Sequence, residues 1–165
     1  MTRKEMLALV RKLIADEQAT GFTEGGNLEE PEGTQELLNY LDRAIDEYSK
    51  LQAANGDLRL IKRITVTNGM SVPGDFISFC GVVPLTVEGK TINFYGGTLS
   101  LPVRYFARLP YITSYADTVQ LPYDQDQNIK IAALAAIYAL NKHEYDISQD
   151  LTLLGMGGAK SGNTE

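Results

Sequence analysis

Residues 131–140 read IAALAAIYAL, ten positions without a charge. A helix that is apolar on every side has to be buried on every side. The run is too short to cross a bilayer, which takes about 20 apolar residues. The rest of the chain must therefore surround it. At 165 residues the chain is sized for one domain with a real core. It can hardly enclose such a helix completely, so part of the helix is expected to face another subunit. The alanines in the run allow close approach of neighbouring helices. Residues 124–128 are expected to open this helix, which should run to about His143.

The N-terminal half supplies two further helices. Over residues 3–18, Met6, Val10 and Leu13 recur at three-and-four spacing, with Leu7 and Ile14 beside them. Thr2 followed by Glu5 is a capping-box pattern. Residues 19–33, ATGFTEGGNLEEPEG, form a turn-rich loop broken by Gly25, Gly26 and Pro31. Thr34 is expected to cap the second helix. Its stripe is Leu37, Leu41, Ala44, Tyr48 and Leu51, widened by Leu38 and Ile45, and Asn55-Gly56 should close it with a left-handed residue. Two helices joined by a loop predict an antiparallel pair.

The pattern changes near residue 58. LRLIKRITV alternates and is β-branched; DFISFCGVVPLTV and KTINFYG are also strand-like, with Glu88-Gly89 between them as a hairpin turn. Pro84 demotes its strand to an edge or a bulge. Residues 58–100 thus predict a small antiparallel sheet or a long hairpin, which needs a helix or a neighbouring subunit beneath it. Residues 101–123 carry three Leu-Pro steps, each disfavouring helix just before the proline. They are expected to be a connector with a short helix or turn near Tyr105. The fold class is therefore α+β and mainly helical: a helix pair and a buried C-terminal helix, with an inserted antiparallel hairpin or small sheet. Residues 1–150 form one domain, with the β-rich insertion at about 58–100, and residues 151–165 form a flexible polar tail.

Catalytic chemistry finds little support. His143 suits a helix C-terminus, and no partners at metal-ligand spacing accompany it. Cys80 lies in an apolar strand-like run and reads as a small hydrophobe; a couple with His143 has no motif around it. Asp124, Asp126 and Asn128 have the opening spacing of a calcium loop, but Ile129 stands where its glycine belongs and Ala135 where its glutamate belongs. The carboxylates read as caps. The glycine clusters match neither a P-loop nor a dinucleotide fingerprint. Glu29, Glu30 and Glu32 read as a solvated loop, with a docking patch for a basic partner as the alternative. No cofactor or metal is expected, and no enzyme activity. The net charge of −6 and the scattered basic residues argue against a direct reader of nucleic acid. One cysteine allows no internal disulfide. The N-terminus has no signal-peptide pattern and no apolar run spans a membrane, so synthesis in the cytoplasm is expected.

The order of segments resembles a known family. A helix ending IADEQ and a turn-rich loop precede a helix beginning TQELLNYLDRAIDEY. A β-rich middle, the stretch YFARLPYITSYADTVQLP and a nearly all-apolar helix follow. This resembles the head–tail adaptor proteins of tailed bacteriophages, also called head-completion or neck proteins. The likeness covers roughly residues 1–145 and is most telling in ELLNYLDRA and in residues 104–121. It implies a structural virion protein at the head–tail junction, made in the host cytoplasm. Such a protein forms a homo-oligomeric ring, usually twelve-fold like the portal. It docks on the portal protein, extends the DNA channel without sequence-specific binding, and offers a surface to tail or neck proteins. Leu151, Leu153, Leu154 and Met156 would be the portal-binding anchors in the C-terminal segment. Tyr105, Tyr111 and Tyr115, amphipathic rings among prolines, would lie at the subunit interface. Two other readings stand beside this one: a monomeric binding or regulatory accessory module without catalysis, and a small hydrolase whose site no motif marks.

Overall fold

The computed structural model describes residues 1–14, 32–96 and 100–141. Among the described residues three helices, α1 (Arg3–Leu13), α2 (Glu32–Ala54) and α3 (Gln125–Leu140), enclose in sequence five strands: β1 (Ile61–Thr67), β2 (Phe76–Phe79), β3 (Leu85–Glu88), β4 (Thr91–Phe94) and β5 (Ser100–Ala107). Among the described residues the fold is α+β, with helices before and after the antiparallel strands. No helix among the described residues is long and apolar enough to cross a membrane. The contact pattern divides the chain into two compact units, Met1–Tyr48 with Tyr111–Glu165, and Ser49–Pro110. The β-rich part is thus a unit of its own, wider than residues 58–100, and the division falls inside α2.

In the helical unit, α1 packs on α3. The capping box forms as its sequence predicts: Glu5 N–H donates to Thr2 Oγ1 and Thr2 N–H donates to Glu5 Oε2. The helix closes at Leu13 with Ile14 as its C-cap, and residues 15–18 lie outside the described residues. Met6, Val10, Leu37, Leu41, Ile45 and Tyr48 are all fully buried, as their spacing requires. Thr34 is not the cap of α2. The helix begins at Glu32, and Thr34 is buried with its hydroxyl accepting from Arg11 Nη2 at 2.8 Å. A cap hydroxyl serves its own helix; this one ties α1 to α2 instead.

α3 opens as expected. Asp124 Oδ1 accepts from Gln127 N–H at 2.8 Å, and Gln127 Oε1 accepts from Asp124 N–H at 2.9 Å, a second capping box. Asp126 pairs with Lys130 one turn on. Ile131, Ala132, Leu134 and Ala135 have no exposed surface at all. Ile129 and Leu140 at the two ends are exposed, and Ala133 and Ile137 between them are half-buried. The apolar run is therefore covered by its own chain over most of its circumference.

The β-rich unit starts at the last turns of α2. Gly56 at φ +75° accepts the left-handed position, Gly56 N–H donates to Ala53 O and Asp57 N–H donates to Gln52 O, which completes the helix-closing motif. A three-stranded antiparallel sheet follows in the order β1-β5-β2, and β3 and β4 form a separate hairpin. Glu88 pairs with Thr91, so the turn is Gly89-Lys90, one residue beyond the expected Glu88-Gly89. Gly89 at φ +63° supplies the conformation that such a two-residue turn requires. Residues 69–72 lie along β4 through Gly69 N–H to Ile92 O and Val72 N–H to Lys90 O. Val66, Leu85, Ile92 and Val103 form the core of this unit.

Strand β5 corrects the expectation of a connector with a helix near Tyr105. SLPVRYFA alternates, and its partner β1 pairs with it from Ile61–Phe106 to Thr67–Ser100. Pro102 is tolerated here for a geometric reason. Cys80 N–H donates to Arg104 O and Arg108 N–H donates to Asp75 O. The even residues of β5 therefore turn their peptide groups to the β2 side. Pro102 shares that parity but lies beyond β2, whose pairing covers only Tyr105 to Ala107, so no ladder bond is lost. The short helix of this stretch sits later, at Ile112–Ser114.

Candidate interaction surfaces

Tyr105 is 5% exposed, on the core side of β5. Its ring stacks on Phe76 at 5.9 Å between centroids, and its hydroxyl donates to Asp75 Oδ1 at 3.1 Å. Asp75 also receives Lys62 Nζ. Burial disfavours the Asp75 carboxylate, but the hydrogen bonds from Lys62 and Tyr105 outweigh this and hold its carboxyl below the ordinary range. Burial, and then the bond to Asp75, push the Tyr105 hydroxyl up to about 12. A phenol so placed stays protonated at neutral pH. The trio is a lock that joins β1, β5 and the entrance to β2, and Tyr105 has little surface left to give a neighbour.

Tyr111 and Tyr115 are half-buried. Tyr111 donates to both carboxylate oxygens of Asp46 at 3.0 Å. Asp42 holds the next turn: its Oδ1 accepts from Ile112 N–H at 2.8 Å and its Oδ2 from the Thr113 hydroxyl at 2.6 Å. Two carboxylates one helical turn apart on α2 thus pin residues 111–113. Tyr123 is buried too, and burial first, then the charges of Tyr115 and Asp42, raise its hydroxyl well above the ordinary range. Arg43 lies 4.2 Å over the Tyr138 ring, joining α2 to α3.

The expected portal anchors Leu151, Leu153, Leu154 and Met156 lie outside the described residues, as do His143 and the loop carboxylates Glu29 and Glu30. Cys80 is half-buried rather than fully enclosed; burial pushes its thiol up, with Arg104 pulling the other way. Among the described residues no group of acids, histidine and cysteine is arranged to hold a metal ion.

The pairing of β1 with β5 also builds a charged face. The register sets Arg63 directly opposite Arg104 on the face of the sheet away from Val66 and Val103, and both are exposed. Ile61 and Phe106, half-buried, flank the pair on one side; Thr65, Thr67, Pro102 and Ser100 are exposed on the other. Alternation alone marks each arginine as facing away from the core, but only the pairing register brings the two together.

No family model, no curated protein and no solved structure matches this chain.

Proposed function

We propose that this chain is a non-catalytic ring subunit at the head–tail junction of a tailed phage. It docks on the portal, extends the DNA channel and presents the surface to which the tail attaches. One observation carries this reading. The two segments on which the resemblance rests, ELLNYLDRA and residues 104–121, bond to one another: Asp42 of the first holds Ile112 and Thr113 of the second. The parts of both segments that lie in the helical unit are thus tied together, and this supports reading them as one functional element. The exposed Ile129 and Leu140 on α3 add apolar surface of the kind that assembly covers.

The burial of Tyr105 within its own unit favours the alternative, a monomeric binding or regulatory module without catalysis. Incubation with purified portal rings, followed by electron microscopy and mass measurement, separates the two. The adaptor reading expects a ring of this chain stacked on the portal with the portal's symmetry. A chain that remains free and monomeric beside intact portal rings excludes it. In the adaptor reading, removing residues 151–165 abolishes docking while the helical content is kept.

A further inference from the structure

The two units carry opposite charge. Ser49–Pro110 holds seven Lys and Arg against three Asp and Glu, a net +4; the remainder of the chain holds eight against eighteen, a net −10. A net charge of −6 for the whole conceals this polarity. Within the basic unit the acids are largely engaged by local partners: Asp75 by Lys62, and Asp57 by Arg59. Arg63 and Arg104 have no ion pair or hydrogen bond from their side chains among the described residues. They stand opposite one another across β1 and β5, where like charges destabilise a sheet. A folded chain that keeps two guanidinium groups at such a position retains a face that an anionic partner would relieve.

We infer that the Arg63–Arg104 face of the β1-β5-β2 sheet binds the acidic helical unit of a second copy of this chain. The inference rests on the ring-subunit reading and names the contact between neighbours. Charge complementarity selects the occupant, since each copy carries a net −10 on the unit that the next copy's basic face would meet. The same charges forbid the face from meeting itself, because four guanidinium groups would then be brought together. The contact is therefore head-to-tail, the type that closes into a ring when the rotation between neighbours allows it. A nucleic-acid backbone is the poorer occupant. Non-specific binding to phosphates draws on many cations, and this face offers two in a chain that is acidic overall.

The test uses the full chain and the double variant R63E/R104E. Both positions are exposed and off the core, so the variant keeps its circular dichroism and its melting temperature. Sedimentation velocity over a concentration series should show wild-type self-association that weakens at least about tenfold when salt is raised from about 50 to about 500 mM. The variant alone should be monomeric. Mixed in excess with wild type, it should cap the oligomers, because it still supplies an acidic unit but offers no basic face. Oligomers that persist in the variant overturn this surface and leave the ring reading standing. A wild-type chain that is monomeric at both salts overturns the contact, while loading on portal rings decides the ring reading separately. Duplex DNA retarded by wild type but not by the variant, with self-association equal in the two, also overturns the proposal and assigns the face to nucleic acid.

Discussion

In the helical unit the carboxylates of α2 receive neutral donors: Asp42 takes a backbone N–H and a hydroxyl, and Asp46 takes the Tyr111 phenol. In the β-rich unit the carboxylate of Asp75 receives a cation as well as a phenol. Both arrangements fasten a segment to a scaffold, but they leave different surfaces. The helical unit holds eighteen acids against eight bases and is strongly acidic. Carboxylates that bond lysine or arginine cancel, and the few acids of the β-rich unit leave cations over. The sign of the field that each unit shows to others follows from its count of acids and bases.

The contrast can be broken most severely at α3. Ala135→Glu puts a carboxylate where the side chain has no exposed surface; the expected cost is several kcal/mol. Hydrogen exchange should show protection lost in α1 and α3 before β5. A variant that melts normally would mean that the helix can turn this position to water. In the β-rich unit, Tyr105→Ala should cost about 3 kcal/mol, through the lost ring and its stacking on Phe76. Tyr105→Phe should cost about 1 kcal/mol, the worth of the bond to Asp75. Equal losses for the two variants in denaturant unfolding would assign the whole effect to the hydroxyl.

Smaller effects sharpen the comparison. Asp42→Asn keeps the size of the side chain but weakens both bonds to residues 112 and 113, at a cost of about 1–2 kcal/mol; it should leave amide protection of β1 and β5 unchanged. The pH profile should distinguish the units gently. The Asp75 carboxyl ionises more readily in the folded chain, so it contributes stability above its ordinary value of 3.8, and that contribution is lost as pH falls through the lower folded value. Tyr105 titrates higher in the folded chain, so its contribution is complete below pH 10 and disappears as pH rises toward about 12. Asp75→Asn should remove the acid-side loss, and melting curves from pH 2 to 5 check this.

Local patterns foretold the parts whose partners are close in sequence. The capping box at Thr2 and the cap at Asp124 each engage a residue three positions on, and the apolar run of α3 states its own burial. Gly56 marks a helix end by conformation alone. Thr34 misled because the same hydroxyl that caps a helix can accept from a distant side chain, here Arg11. β5 was missed because its pairing with β1 is distant in sequence, and Pro102 argues for a connector until the end of β2 is known. The Arg63–Arg104 opposition depends on that same register, so no window of the sequence displays it. The anchors assigned to residues 151–156 follow from the resemblance, and nothing in the described residues bears on them.

The proline in β5 has a consequence for what the β-rich unit avoids. A sheet that ends unevenly leaves part of its middle strand open along one flank, a ready template for any extended chain. On that flank, within residues 100–104, the position of Pro102 has no hydrogen to donate, and the carbonyl of Arg104 is already occupied by Cys80. An incoming strand would find a donor at Ser100 and then a gap. The missing donor at Pro102 makes this flank a poorer template for strand pairing.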